Sequence, residues 1–271
     1  MLTKEQQEVI DACLYNPKPI TIIQGKAGSG KSYLVKELLK RIDAVILTPT
    51  NMAKSVYPQA QTFHSFFYGE LDDLDEGFQD APNSVYKNNP WVRNRLSSIK
   101  AIVFDEISMV RVDYFDILIK ICQNARSNNK TFGGIQIILV GDMFQLPPIV
   151  EDEETYKYLI KEYGGIYYFN SHIIQNNLSA IRYCELSKSV RQQNDTEFEK
   201  MLDTIRKGSD LVTSLRVVEL LNERVVDAVP QDIITIASSN AEVLRINHKE
   251  LAKLPGDEIH FPASFIVKLK N

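Results

Sequence analysis

Eight residues constrain this chain more than any others: Gly25-Lys26-Ala27-Gly28-Ser29-Gly30-Lys31-Ser32. They follow the apolar run Pro19-Ile20-Thr21-Ile22-Ile23 and precede a helix-forming stretch from Tyr33 to Leu39, so the order is strand, glycine loop, helix. The spacing fits G-x-x-x-x-G-K-[ST]. Glycines placed this way let successive backbone N–H groups curl round phosphate oxygens, and the following helix turns its positive end toward them. In that geometry Gly25, Ala27, Gly28, Ser29 and Gly30 cradle phosphate, Lys31 reaches the β- and γ-phosphates of ATP, and Ser32 ligates Mg²⁺. The expected fold is α/β, a P-loop NTPase whose mostly parallel sheet is flanked by helices.

A length of 271 residues holds one large α/β domain, or one complete and one smaller domain. No run approaches the roughly 18 apolar residues of a membrane span. Met1-Leu2-Thr3-Lys4 opens into a polar helix rather than a signal peptide, which makes the cytoplasm the expected location and a membrane no partner. Cys13, Cys122 and Cys184 are far apart, sit in apolar-patterned segments and lack Cys-x-x-Cys spacing, so they read as buried reduced thiols. The net charge of −4 excludes a protein that coats nucleic acid by bulk electrostatics, while leaving room for a narrow basic groove.

Strands and helices then alternate. Thr3-Lys4-Glu5-Gln6 has the form of a capping box before a helix through Val9, Ile10, Cys13 and Leu14. A strand over Ala44 to Thr48 leads to a turn at Pro49-Thr50-Asn51 and a short helix from Met52. The aromatic stretch Gln61 to Phe67 is followed by an acidic, non-periodic excursion from Gly69 to Pro90. Ala101-Ile102-Val103-Phe104 is a buried strand ending in Asp105-Glu106, the position of a Walker B element. There Asp105 holds the metal beside Ser32, and Glu106 orients and deprotonates the attacking water. A helix from Asp113 carries Phe115, Leu118, Ile119 and Cys122 as a core stripe. Strand Ile135 to Val140 delivers Gly141-Asp142-Met143-Phe144-Gln145-Leu146-Pro147-Pro148 to the same sheet edge, where the Gln145 amide is suited to sense the γ-phosphate. Further strands are predicted at Ala180 to Leu186 and Ile233 to Ala237, with helices through Phe198, Met201, Leu202 and Ile205, and from Ala241 to Leu251.

Taken together and in order, these segments resemble the superfamily 1B DNA helicases, and within them the PIF-type branch of the RecD-like group. Leu2 to Gln6 resembles the family's Q motif, Thr48-Pro49-Thr50 its motif Ia, and Thr62-Phe63-His64-Ser65 the DNA-contacting motif after it. Phe104 to Met109 is similar to motif II, and Lys130 to Gln136 with Gly141 to Pro148 resembles the branch signature and motif III. Val190-Arg191-Gln192 with Ile205-Arg206-Lys207-Gly208 is similar to the motif IV region. The resemblance implies ATP-driven 5′ to 3′ movement on single-stranded DNA, with unwinding at duplex junctions. It makes Arg191 an arginine finger, where the residue alone reads as a surface cation. It gives Gln6 a second reading as adenine reader, beside its capping role. It assigns Thr48, Pro49, Thr50 and Asn51 to the DNA backbone and sets Phe63 and His64 against bases, whereas Phe66 and Phe67 read as core. Trp91 either pins the insertion or helps part the duplex.

The implied layout is a RecA-like domain over residues 1–176, interrupted at about 69–98, followed by a partial second RecA-like domain over 177–271. Motifs V and VI are not recognised in Phe261 to Asn271. The expectation is therefore a fragment or truncated helicase, with a nucleotide-binding remnant that does not unwind DNA as the alternative.

Overall fold

The computed structural model describes residues 2–51, 55–67, 90–187, 196–208, 211–223, 225–226 and 233–256, with the side chains of His64, Phe67, Trp91 and Thr196 excepted. The acidic excursion over 69–89 and the predicted helix start at Met52 lie outside the described residues.

Six strands form one parallel sheet: β1 (Ile20–Gly25), β2 (Ala44–Thr48), β3 (Gln61–Thr62), β4 (Ala101–Phe104), β5 (Gln136–Gly141) and β6 (Ile181–Leu186). Their order is β3-β2-β4-β5-β1-β6. β1 lies between β5 and the edge strand β6, with Ile22 opposite Leu139 of β5 and Tyr183 of β6. The central strands read as near-continuous apolar runs because helices cover both faces. Period-two alternation divides the side chains between two core layers. Ile102, Phe104, Ile137 and Leu139 face one layer, with α4 (Pro90–Ser98) and α5 (Val112–Arg126). Ala101, Val103, Ile138 and Val140 face the other, with α1 (Lys4–Tyr15) and α2 (Lys31–Leu39).

Helix ends are fixed by side chains. Thr3 and Gln6 complete the expected capping box of α1, and Arg182 of β6 donates to the Ala12 and Asn16 carbonyls at its far end (2.8 and 2.7 Å). The turn Thr131–Gly134 packs on α5 with Gly133 at φ +64°. An added Cβ there would lie 2.4 Å from the Cys122 carbonyl oxygen, so only glycine fits. Cys13 and Cys122 are buried free thiols, and Cys184 is a half-buried one.

The expected boundary at residue 176 is corrected by β6. That strand pairs in register with β1, so residues 181–186 complete the first sheet instead of opening a second. α8 (Thr196–Lys207) also belongs to the first compact unit, which runs to Val217; α6 (Glu153–Tyr163), α7 (His172–Asn176) and α9 (Leu211–Asn222) complete the chain order. The second unit, Val218–Asn271, carries α10 (Asn240–Leu251), whose Ser239 caps the Glu242 N–H. The strand expected at Ile233 to Ala237 forms neither strand nor ladder among the described residues, and Ile234 and Ile236 are each 93 % exposed. An apolar run without a neighbouring strand cannot form a sheet, whatever its propensity. Among the described residues no helix is long and apolar enough to cross a membrane.

Candidate active site

In open α/β sheets, ligands bind beyond the carboxyl ends of the strands. Three such ends, of β1, β4 and β5, carry the residues singled out from the sequence. After β1 the chain turns through Gly28 (φ +79°) and Gly30 (φ +81°), backbone states that glycine adopts without strain. This loop feeds the N-terminus of α2, where Lys31 and Ser32 stand.

The Lys31 ammonium is buried and donates to the carbonyls of Gly25 (2.7 Å) and Lys26 (3.1 Å). Burial holds its pKa below the ordinary lysine value, against the pull of Asp142, Glu106 and Asp105. Beside it the Ser29 hydroxyl is buried with no hydrogen-bond partner among the described residues. An unsatisfied buried hydroxyl in a glycine loop at a helix N-terminus is open to an acceptor that a bound anion supplies.

β4 delivers Asp105 and Glu106. One Asp105 oxygen accepts the Glu106 N–H (3.0 Å), and the other accepts the Tyr57 hydroxyl (2.7 Å). Burial raises the Asp105 pKa. Glu106 is raised by burial and then by the neighbouring Asp105 charge. It also adopts a left-handed backbone (φ +55°), a strained state for a non-glycine residue. Perturbed, strained carboxylates of this kind concentrate at catalytic positions.

β5 delivers Asp142, which is 2 % exposed and accepts from Gln24 Nε2 (2.9 Å), the Phe144 N–H (3.2 Å) and Arg206. Three residues later in the same turn, Gln145 is exposed, and its backbone N–H donates to the Asp142 carbonyl (3.0 Å). Gln6 lies behind the loop. Its Oε1 accepts the Thr3 N–H (2.9 Å), while Nε2 donates to the Ser29 and Gly30 carbonyls (3.4 and 3.3 Å). Its amide therefore braces the phosphate loop and caps α1 together. From the other side Lys26 pairs with Glu199 of α8 (2.5 Å).

Lys31, Asp105 and Glu106 are thus brought together, and Ser32 follows Lys31 at the start of α2. The oxygens of Ser32 and Asp105 are hard donors suited to Mg²⁺. Among the described residues no group of three or more His, Cys, Asp or Glu gathers to hold a metal. A cation here would complete its shell with nucleotide oxygens and water, the habit of Mg²⁺.

The expected nucleic-acid contacts fare differently. Phe63 is 4 % exposed and packs on Phe104 and Tyr114 (centroids 6.4 and 5.8 Å), so its ring belongs to the core and is not free to stack on bases. The buried Thr48 hydroxyl donates to the Thr50 carbonyl (2.9 Å), which shapes the turn and leaves nothing for a backbone phosphate. Thr50 and Asn51 are exposed, and Pro49 and Thr50 line a cleft of about 490 Å³ with Arg111 and Tyr114. Phe66 is core, as expected. Arg191 and the side chains of His64, Phe67 and Trp91 lie outside the described residues. Tyr57 was not anticipated, because it occupies a stretch with no motif around it. Asp142 and Arg206 stood inside quoted motifs without an assigned role.

A parallel sheet of this order, with a glycine loop after β1, a carboxylate pair after β4 and flanking helices, defines a RecA-like P-loop NTPase domain. The PIF1-like helicase family model matches residues 1–215, and the chain belongs to that family. It is 30 % identical to the ATP-dependent DNA helicase PIF1 of Saccharomyces cerevisiae, covering 96 % of this chain and 29 % of that protein. It is 28 % identical to the PIF1 of Emericella nidulans, covering 95 % and 34 %. Among solved structures, the Bacteroides Pif1 helicase in complex with ADP-AlF3 and ssDNA superposes with a TM-score of 0.75 at 26 % identity, covering 97 % of this chain and 61 % of that one. The Candida albicans Pif1 helicase gives 0.74 at 26 %, covering 95 % and 56 %. The chain spans about a third of the length of the curated relatives it matches.

Proposed function

We propose that this chain supplies the ATP-hydrolysing site of a DNA helicase that moves 5′ to 3′ on single-stranded DNA and acts at duplex junctions. The observation that carries the reading is the convergence of Lys31, Ser32, Asp105 and Glu106 at one edge of the sheet. Membership in a family whose solved members include a complex with ADP-AlF3 and ssDNA supports both the nucleotide and the strand.

In this reading the amides of Gly28 to Lys31 surround the β-phosphate, and Lys31 leaves the Gly25 and Lys26 carbonyls to neutralise charge on the β- and γ-phosphates. Ser32 and Asp105 would hold Mg²⁺, which would supply positive charge against the charge that develops on the phosphates. Glu106 accepts a proton from the attacking water at its carboxylate, a role that its raised pKa favours. Gln145 reports the γ-phosphate from the end of β5, and Arg191 acts as the arginine finger. The Gln6 amide reads adenine only by exchanging a bond to the loop carbonyls or to Thr3. Pro49, Thr50 and Asn51 meet the DNA backbone, and His64 a base.

The test is steady-state ATP hydrolysis with and without a single-stranded oligonucleotide, with Glu106→Gln as the blank. Turnover stimulated by DNA and abolished in the variant supports the proposal. Nucleotide binding without DNA-sensitive turnover points to the non-hydrolysing alternative.

A further inference from the structure

Tyr57 is 1 % exposed and sits in the core layer beneath α2, among Leu34, Val35 and Leu38. Its hydroxyl donates to Asp105 Oδ2 at 2.7 Å. A phenol has one proton and an ionised carboxylate can only accept, so the Tyr57 proton is committed to Asp105.

That bond has a consequence for a cation. A carboxylate that ligates a metal must hold its plane, and here the phenol pins Oδ2 while Oδ1 takes the Glu106 N–H. Resting on the nucleotide reading of the site, we infer that Tyr57 is a positioning residue for Mg²⁺: it orients Asp105 before the cation arrives. Tyr57 touches neither phosphate nor metal in this role, and it acts through Asp105. Outer partners that orient metal ligands commonly govern affinity for the metal more than the fold.

Tyr57→Phe keeps the ring and removes only the hydroxyl, so the core packing under α2 is retained. The measurement is the affinity for a fluorescent ATP analogue, titrated with MgCl₂ and separately in EDTA, alongside thermal melts. In wild type, nucleotide affinity rises with Mg²⁺. In Tyr57→Phe the half-saturating Mg²⁺ concentration is expected to rise about tenfold, with affinity in EDTA unchanged. On an Asp105→Asn background the same change is expected to add little, because the two groups act as one unit. Wild-type Mg²⁺ dependence in Tyr57→Phe overturns the inference, and so does an equal loss of affinity with and without Mg²⁺, which marks a merely structural residue. Additive losses in the double variant also overturn it. If wild type itself shows no Mg²⁺ dependence, the nucleotide reading of the site fails, a result distinct from failure of Tyr57 alone.

Discussion

Arg206 reaches from α8 to Asp142 and closes on both carboxylate oxygens, Nε to Oδ2 at 3.1 Å and Nη2 to Oδ1 at 2.9 Å. The guanidinium also lies over the Phe144 ring, 4.4 Å from its centroid. With the Lys26–Glu199 pair, this joins α8 to the loops after both β1 and β5. Asp142 lies beside Lys31, so the helix is coupled electrostatically to the phosphate site.

Removing the guanidinium leaves a buried carboxylate with hydrogen bonds from Gln24 and the Phe144 N–H and with the Lys31 charge nearby. Arg206→Met should lower unfolding stability by about 2–3 kcal/mol, less than a bare buried charge would cost because those two donors remain. Adding Asp142→Asn should restore much of the loss. Urea denaturation midpoints measure both, and an unchanged midpoint for Arg206→Met would show the pair to be inert.

Glu106 yields a pH prediction. Its folded-state pKa is raised by burial and by Asp105, so between the ordinary glutamate value and that raised value the native state holds more protons than the unfolded chain. Stability therefore falls as pH rises through that window, and the penalty is complete only above the raised value. Glu106→Gln should melt higher than wild type at pH 7, with the gap closing as pH falls toward the ordinary glutamate range. A variant less stable than wild type at pH 7 contradicts this.

Gln6 supports two structures with one amide. Gln6→Ala removes half of the capping box and both bonds to the Ser29 and Gly30 carbonyls, and should cost roughly 1–2 kcal/mol. Amide hydrogen exchange should quicken in the loop as well as at the start of α1. Acceleration confined to α1 would mean that the loop does not rely on Gln6.

Gly133 is a test of the signature turn. Gly133→Ala sets a Cβ against the Cys122 carbonyl at a positive φ and should destabilise by about 2–4 kcal/mol. Neighbouring Gly134→Ala, where the nearest atom is the Lys130 Cδ at 3.7 Å, meets only the backbone cost of φ +80° and should be milder. Thermal melts of the two variants compare them, and equal losses would remove steric contact as the reason for Gly133.

The elements that were legible in the sequence were those whose signal is local. The glycine loop states its own geometry, and Ala101 to Phe104 reads as a buried strand because all four residues are apolar. The Thr3/Gln6 capping box formed as its spacing implied. Pairing across the sheet is a different matter, because a strand pattern does not say which sheet it joins. Ala180 to Leu186 was visible as a strand, yet its place beside β1 depends on contacts with residues 161 positions earlier in the chain. For the same reason Phe63 could be read as a stacking face: its burial is set by Phe104 and Tyr114, which are remote in sequence. Tyr57 carried no signal, because a tyrosine in a loop gains a role only when β4 brings Asp105 beneath it.

The most direct test of the account is an equilibrium titration of the chain with a fluorescent ATP analogue in Mg²⁺, comparing wild type with Lys31→Ala. Because Lys31 exchanges its loop carbonyls for phosphate oxygens, the account predicts saturable one-site binding by wild type. Loss of the charge-assisted contacts should weaken it at least about tenfold in the variant. Equal affinities, or no binding by wild type, would contradict the assignment of Gly25 to Ser32 as the phosphate site.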